Sequence, residues 1–273
     1  MNYQEKTFGY KLLRPIIKPL FKFYFNPKVI GKENIPKKGA FILCGNHTDV
    51  HDQLSIMINT KRIIHYLAKK EYFDSKMGWF FKFVGQIPVD RETKNSNVKS
   101  EAVALLESGH ALGIFPEGTR NMLYCKKDKV AEVHNQILSI MSKDNYLQKI
   151  KDNQTKLSQI NLVYKLKEEK KIDETKYKEL LFNTPYHLNN LLEKKVITKK
   201  EYDDALLLPF KYGAVSLASQ TNSYIVPFAV KGHYQKRSKD LIIKIGKPYK
   251  VGKDLEKENT KLRNKIIELY NQI

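Results

Sequence analysis

Short apolar runs recur along the chain with helical patterns between them. Ala40–Cys44 and Ala111–Phe115 have the length and character of strands buried on both faces. Ile63–Ala68, Gln86–Val89, Tyr224–Val230 and Asp240–Ile245 read as further strands, and the aromatic-rich Met77–Val84 lies between two of them. Helical periods fall near 52–59 and 95–108, in the turn and helix of Phe210–Ala218, and in the charged amphipathic stretch 254–273. Strand and helix in alternation predict an α/β fold with a largely parallel central sheet flanked by helices. In such sheets ligands gather at the carboxyl ends of the strands.

Two segments stand apart from this alternation. Residues 8–25 have a helical period that puts Lys11, Arg14, Lys18 and Lys22 on one face and Leu13, Ile16, Ile17, Leu20, Phe21 and Tyr24 on the other. A basic amphipathic helix with aromatics suits a lipid headgroup layer, and it also suits the edge of a core with a solvated lysine face. Pro15 and Pro19 predict a kink or two short turns, since an interior proline costs about 3 kcal/mol. The second segment, 121–207, holds 17 Lys against 13 Asp and Glu, with no Arg and no Gly. Within it Leu166–Tyr177 aligns with Leu191–Tyr202 at an offset of 25 residues. Asp173 and Thr198 are N-cap types at matching points, and Thr198 with Glu201 makes a capping box, so each unit reads as helix, tight turn, helix. The α/β pattern resumes near Pro209. The chain therefore reads as one domain, 1–120 and 208–273, with 1–25 as a surface helical segment and 121–207 as a mostly α-helical, lysine-rich insertion.

Charge narrows the partners. A formal charge of +20 over 273 residues favours anionic partners: nucleic acid, anionic lipid headgroups or an acidic carrier protein. Most of that excess, +16, lies outside the insertion. With two cysteines, Cys44 and Cys125, no disulfide framework is indicated and a reducing compartment fits. The N-terminus lacks the apolar core of a signal peptide, and no run approaches the roughly 18 apolar residues of a spanning helix. A cytosolic protein or one on a membrane surface is expected.

The chemistry concentrates at two strand ends. His47 follows the run Ala40–Cys44, and Asp52 stands five residues on, where a loop-to-helix turn can fold it back under the imidazole. A histidine with one ring nitrogen tethered by a carboxylate and the other free is the usual side chain for taking a proton from an alcohol. No nucleophilic serine or cysteine is required where the substrate brings its own hydroxyl. At the second end, Pro116-Glu117-Gly118-Thr119-Arg120 follows Ala111–Phe115. Gly118 permits close backbone approach, Thr119 supplies a hydroxyl, and Arg120 supplies a planar fork suited to phosphate. Arg91, just past Gln86–Val89, offers a second fork. Glu117 fits an anion site only by orienting an arginine or a substrate hydroxyl.

In order along the chain, His47-x₄-Asp52, Gly85 to Arg91, Phe115–Arg120 and Ile225–Phe228 resemble the four motifs of the glycerolipid acyltransferases, with the bacterial 1-acyl-glycerol-3-phosphate branch the nearest likeness. The resemblance spans about 25–120 and 208–250 and leaves the insertion out. It implies that His47, oriented by Asp52, deprotonates the sn-2 hydroxyl of lysophosphatidic acid for attack on an acyl thioester of acyl-carrier protein or coenzyme A. It further implies that Arg91, Glu117, Gly118, Thr119 and Arg120 handle the glycerol phosphate and that Pro227 shapes a pocket. No cofactor beyond the acyl-donor cosubstrate is implied, nucleic acid is not a partner, and an anionic membrane surface on the cytoplasmic side is the implied location. Asp49 stands where the family often has serine, offering His47 a second carboxylate.

Two other classes compete. The cluster His47, Asp49, His51 and Asp52 is dense in metal ligands and fits a metal-dependent hydrolase, although the remaining histidines form no second cluster. Charge alone fits a non-enzymatic nucleic-acid or membrane binder, but the lysines are dispersed and no standard nucleic-acid motif appears. Cys44, inside an apolar run, reads as a buried thiol before it reads as a nucleophile.

Overall fold

The computed structural model describes residues 8–89, 96–122 and 155–273, together with 142, 144, 145 and 148. The chain divides into two compact units, one built of Met1–Gly118 and Phe210–Ile273 and the other of Thr119–Pro209. In the first, the elements run α1 (Phe8–Phe25), β1 (Lys28–Ile30), β2 (Phe41–Gly45), α2 (Asp52–Met57), β3 (Ile64–Lys69), α3 (Lys70–Phe73), α4 (Gly78–Phe83), β4 (Ile87–Val89), α5 (Ser96–Glu107) and β5 (Ala111–Ile114). The sheet order is β1-β7-β6-β2-β5-β3-β4, where β6 is Tyr224–Lys231 and β7 is Ile242–Ile245; β8 (Tyr249–Lys250) pairs with β6. Only the pairings of β6 with β7 and with β8 are antiparallel among the described strands. The fold is therefore α/β with a mostly parallel sheet.

Alternation along the central strands sets the layers. Every residue of β2 and β5 is buried, as expected of strands covered on both faces. Phe41 and Leu43 join the cluster that includes Phe21 and Phe25 of α1 and Ile56 of α2. Ile42 and Cys44 point the other way, towards the side covered by α5, by the helix Gly213–Gln220 and by the C-terminal helix Leu255–Asn271. Pro227 sits within β6 opposite Cys44, between the residues paired with β8 and those paired with β7. The antiparallel ladder is interrupted there, which suits a residue without an N–H.

Helix α1 runs unbroken from Phe8 to Phe25, so of the kink or two short turns expected from its prolines the two short turns do not form. Pro15 and Pro19 lie on its exposed side, so the carbonyls they leave without an N–H partner face solvent. The faces also differ from the period-based assignment. Tyr10, Leu13, Ile17, Phe21 and Phe25 turn inward, and Arg14 turns with them to donate from Nε to the Met57 carbonyl at 3.2 Å. Ile16, Leu20 and Tyr24 instead face outward, in line with Phe8 and Leu12. The aromatic stretch Met77–Val84, unassigned from sequence, forms α4, and the short α3 precedes it.

The second unit carries α6 (Leu157–Glu168), α7 (Glu174–Phe182), α8 (Thr184–Glu193) and α9 (Lys199–Asp204). Its own core includes Leu166, Ile172 and Tyr177 and their counterparts Leu191 and Ile197, so the 25-residue repeat is a repeat of structure. Asp173 accepts the Lys176 N–H at 2.7 Å, and the Thr198 hydroxyl and Glu201 carboxylate cap each other's backbone N–H at 3.1 and 2.8 Å. The turns after α6 and after α8, at matching points of the repeat, each contain a lysine in the left-handed region, Lys170 at φ 56° and Lys195 at φ 57°. An L side chain there is strained, and glycine relieves the strain. Lys170→Gly and Lys195→Gly are each expected to stabilise this unit by about 0.5–1 kcal/mol, read as a later urea midpoint; an unchanged or earlier midpoint would contradict the repeat geometry.

Candidate active site

Four loops meet at the carboxyl ends of the parallel strands, and the loop after β2 is the most tightly fixed. Asn46 is buried and pairs twice with β6: its Nδ2 donates to the Val230 carbonyl at 2.8 Å and its Oδ1 accepts the Val230 N–H at 2.7 Å. The next residue, His47, donates its backbone N–H to Glu117 Oε1 at 2.9 Å. Its ring lies flat on Phe115, with centroids 4.0 Å apart, and Phe115 in turn stacks on Tyr66. One face of the imidazole is thereby covered while part of the ring remains open to solvent.

Asp52 opens α2 and is fully buried. Its Oδ2 meets His47 Nδ1 at 2.9 Å and accepts the backbone N–H of Thr48 at 2.7 Å and of Asp49 at 2.9 Å. A carboxylate facing Nδ1 favours the tautomer with the proton on Nδ1, leaving the Nε2 lone pair free. Asp49 takes no part in that contact. Its carboxylate accepts the His51 N–H at 2.9 Å and meets His51 Nδ1 at 2.6 Å, forming a separate pair. Among the described residues no group of three or more His, Cys, Asp or Glu is arranged to hold a metal ion. The Cys44 thiol is fully buried, and burial pushes it far above the usual thiol range, which leaves it inert as a nucleophile.

His47 lines a cavity of about 230 Å³ together with Lys69, Phe115, Gly118, Lys211 and Gly213. Leu67, Ile114 and Leu217 supply apolar wall. Gly118 has φ 69°, and a Cβ there would lie 2.8 Å from Cε of Lys211. The close approach that this glycine permits is thus by a lysine side chain. The segment bearing that lysine is pinned nearby, since the Lys211 N–H donates to the Pro116 carbonyl at 2.9 Å.

The residues singled out from sequence are distributed as follows. His47 and Asp52 are in direct contact, Glu117 is buried against the His47 backbone, and Gly118 lines the cavity. Thr119 and Arg120 are the first residues of the second unit. Arg91 lies outside the described residues. Pro227 is buried in the sheet away from the cavity lining, and its neighbour Phe228 meets Phe115 edge-on at 6.1 Å. Lys69 and Lys211 were not foreseen. A lysine just past a strand end is the one signal that could have marked Lys69; for Lys211 the sequence holds none.

The sheet and the histidine–carboxylate pair at its strand ends define an α/β protein with a candidate base at the carboxyl edge of the sheet. The acyltransferase family model matches residues 26–231, and the chain belongs to that family. It is 34% identical over 113 residues to the 1-acyl-sn-glycerol-3-phosphate acyltransferase of Bacillus subtilis, a match covering 41% of this chain and 57% of that protein. Against the enzyme of the same name from Borreliella burgdorferi it is 36% identical over 96 residues, covering 34% of this chain and 38% of that one. The matched region thus spans roughly half the length of these relatives or less. The crystal structure of the 1-acyl-sn-glycerophosphate (LPA) acyltransferase PlsC from Thermotoga maritima shares the fold at a TM-score of 0.54 and 16% identity, covering 96% of this chain and 78% of that one.

Removal of the Asn46 side chain strands the N–H and C=O of Val230 inside the sheet. Asn46→Ala is expected to cost about 2–3 kcal/mol in chemical unfolding, and a cost below about 1 kcal/mol would show that the loop is held elsewhere.

Proposed function

We propose that this chain transfers an acyl group from a thioester to the sn-2 hydroxyl of 1-acyl-glycerol-3-phosphate, giving phosphatidic acid. The observation that carries the proposal is the His47–Asp52 contact at 2.9 Å, made through Nδ1 in a residue that lines a cavity. His47 Nε2 takes the hydroxyl proton as the oxygen attacks the thioester carbonyl. The tetrahedral adduct collapses with cleavage of the C–S bond, and the imidazolium returns its proton to the departing sulfur. Asp52 stabilises the imidazolium in between. The chemistry needs neither a protein nucleophile nor a metal, and the donor is acyl-carrier protein or coenzyme A, both of which suit a chain of charge +20.

The acceptor assignment draws on the names of the relatives and on the cations around the cavity. Lys69 and Lys211 line it, and neither is in an ion pair among the described residues. They are the phosphate-binding groups of this proposal, with Gly118 making room. Glu117 serves it as a brace for the His47 backbone.

The same proposal places the protein peripherally on the cytoplasmic face of an anionic membrane. No described helix is long and apolar enough to cross a membrane. Helix α1 nonetheless exposes Phe8, Leu12, Ile16, Leu20 and Phe23, and Phe8 meets Phe83 of α4, which meets the exposed Trp79. Such a stripe, rimmed by Lys11 and Lys22, has the make-up of a helix lying among headgroups and acyl chains.

Two experiments test these assignments. His47→Ala is expected to lower acylation of lysophosphatidic acid by roughly 10²–10⁴-fold with the fold intact, and Asp52→Asn to impair it severely; full activity in His47→Ala would sink the general-base assignment. A Leu12→Glu/Ile16→Glu/Leu20→Glu variant is expected to lose at least about tenfold in affinity for phosphatidylglycerol vesicles, and undiminished sedimentation with them would remove α1 from the membrane assignment.

A further inference from the structure

The loop after β6 is basic, and it is tied both to the carboxyl edge of the sheet and to α1. Lys236, Arg237 and Lys239 are exposed, three cations within four residues, and none is in an ion pair among the described residues. The loop's one carboxylate, Asp240, is taken up by His233 Nδ1 and by the Ser238 hydroxyl, which donates to it at 2.6 Å. Ser238 is buried, and its Oγ accepts the Leu241 N–H at 3.1 Å, so the loop is held in shape. At its start the ring of Tyr234 packs on Phe25 of α1 and on His51, with centroids 5.6 Å away in each case. The Tyr234 hydroxyl is 2.7 Å from Ser55 Oγ of α2. Further on, the Arg237 N–H donates to the Tyr24 carbonyl, and the guanidinium lies over the Phe23 ring, 5.0 Å from its centroid. Phe23, 65% exposed, belongs to the apolar stripe that α1 presents.

We propose that this loop, with Lys22 in the last turn of α1, is a binding surface for anionic lipid headgroups at the carboxyl edge of the sheet. The inference rests on the membrane placement given above. It goes beyond that placement by assigning a second, electrostatic contact to a loop remote from α1 in sequence. An acidic carrier protein would answer the same charge, but the stacking of Arg237 on an exposed ring favours lipid. A headgroup layer offers phosphate at one depth and acyl chain at the next, and a cation laid over an apolar ring matches both. Each cation beside an anionic membrane surface contributes roughly fivefold in affinity, so three of them on one short loop make a substantial share of binding. Tyr234 holds the loop against His51, in the same turn as His47, so a bilayer bound there lies alongside the edge that carries the base.

Sedimentation of the full chain with vesicles of phosphatidylglycerol or of phosphatidylcholine tests the assignment. Lys236→Ala/Arg237→Ala/Lys239→Ala is expected to bind phosphatidylglycerol vesicles at least about tenfold more weakly, with phosphatidylcholine binding unchanged. Lys32→Ala/Lys37→Ala/Lys38→Ala removes as many exposed charges ahead of β2, at the opposite edge of the sheet, and is expected to leave both affinities within about twofold. Should loss of Arg237 disturb the loop, Lys236→Glu/Lys239→Glu keeps its stacking on Phe23 and is expected to weaken phosphatidylglycerol binding by a similar factor. Undiminished binding by both loop variants, or an equal loss in the control, would overturn the proposal. So would a raised KM for acyl-carrier protein with vesicle affinity intact, which would give the loop to the carrier. A wild-type chain that does not bind phosphatidylglycerol vesicles would remove the membrane placement and this inference with it; wild-type binding that the loop variants retain would remove the inference alone. Vesicle binding needs no turnover, so failure to acylate lysophosphatidic acid would count only against the proposed reaction.

Discussion

The buried carboxylate of Asp52 is the constraint around which the rest of the first unit is arranged. A fully buried, unpaired carboxylate would be prohibitively costly, and this one is surrounded by donors: two backbone N–H groups from the turn before α2, the imidazole of His47, and the hydroxyl of Thr48. Satisfying it dictates the path of the loop, because Thr48 and Asp49 can present their N–H groups only if the chain doubles back over the first turn of α2. That path in turn aims His47. The geometry is thus a by-product of solvating a charge inside the protein, and the site cannot be loosened without exposing the cost of that charge.

The sheet makes this arrangement possible and explains where the insertion can go. β2 lies at the centre, with β5 on one side and β6 on the other. The loops after β2 and β5 supply His47 and Glu117 respectively. The chain leaves the first unit after Gly118 and re-enters at Phe210, and the two ends are stapled together by the bond from the Lys211 N–H to the Pro116 carbonyl. An excursion that departs and returns at one point costs the sheet little, since loop-closure entropy grows only slowly with length. The second unit can then carry its own core and its own caps, built from a repeat that owes nothing to the α/β pattern.

Periodicity and local chemistry made much of this legible, and their limits are physical. The buried strands declared themselves because apolar runs with no polar interruption have few other fates in a chain this basic. The contact of His47 with Asp52 was readable because five residues across a loop-to-helix turn is a local geometry. Lys69 and Lys211 were not readable, since each owes its place to the packing of strands remote in sequence. The faces of α1 were misjudged for a related reason. That helix has apolar residues on more than one side, and a helical period locates stripes without saying which is buried. Arg14 went inward because the Met57 carbonyl, at the end of α2, needed a donor, and nothing near position 14 announces it.

The placement of charge resolves a difficulty that the motif itself poses. Phe115–Arg120 combines an acid with groups suited to anions, and an acid facing a phosphate would repel it. In the structure the negative groups are turned inward and consumed: Asp52 by its four donors, Glu117 by the backbone of His47, Asp49 by His51. The cations, Lys69 and Lys211, line the cavity instead. In the proposed reaction the negative charge lies on the Nδ1 side of the imidazole, where it would stabilise a proton taken up at Nε2, and the positive charge lines the cavity, where an anionic substrate would sit. Segregating the two by burial lets one small site both orient a histidine and present cations to an anion, which an exposed mixture of the same residues could not do.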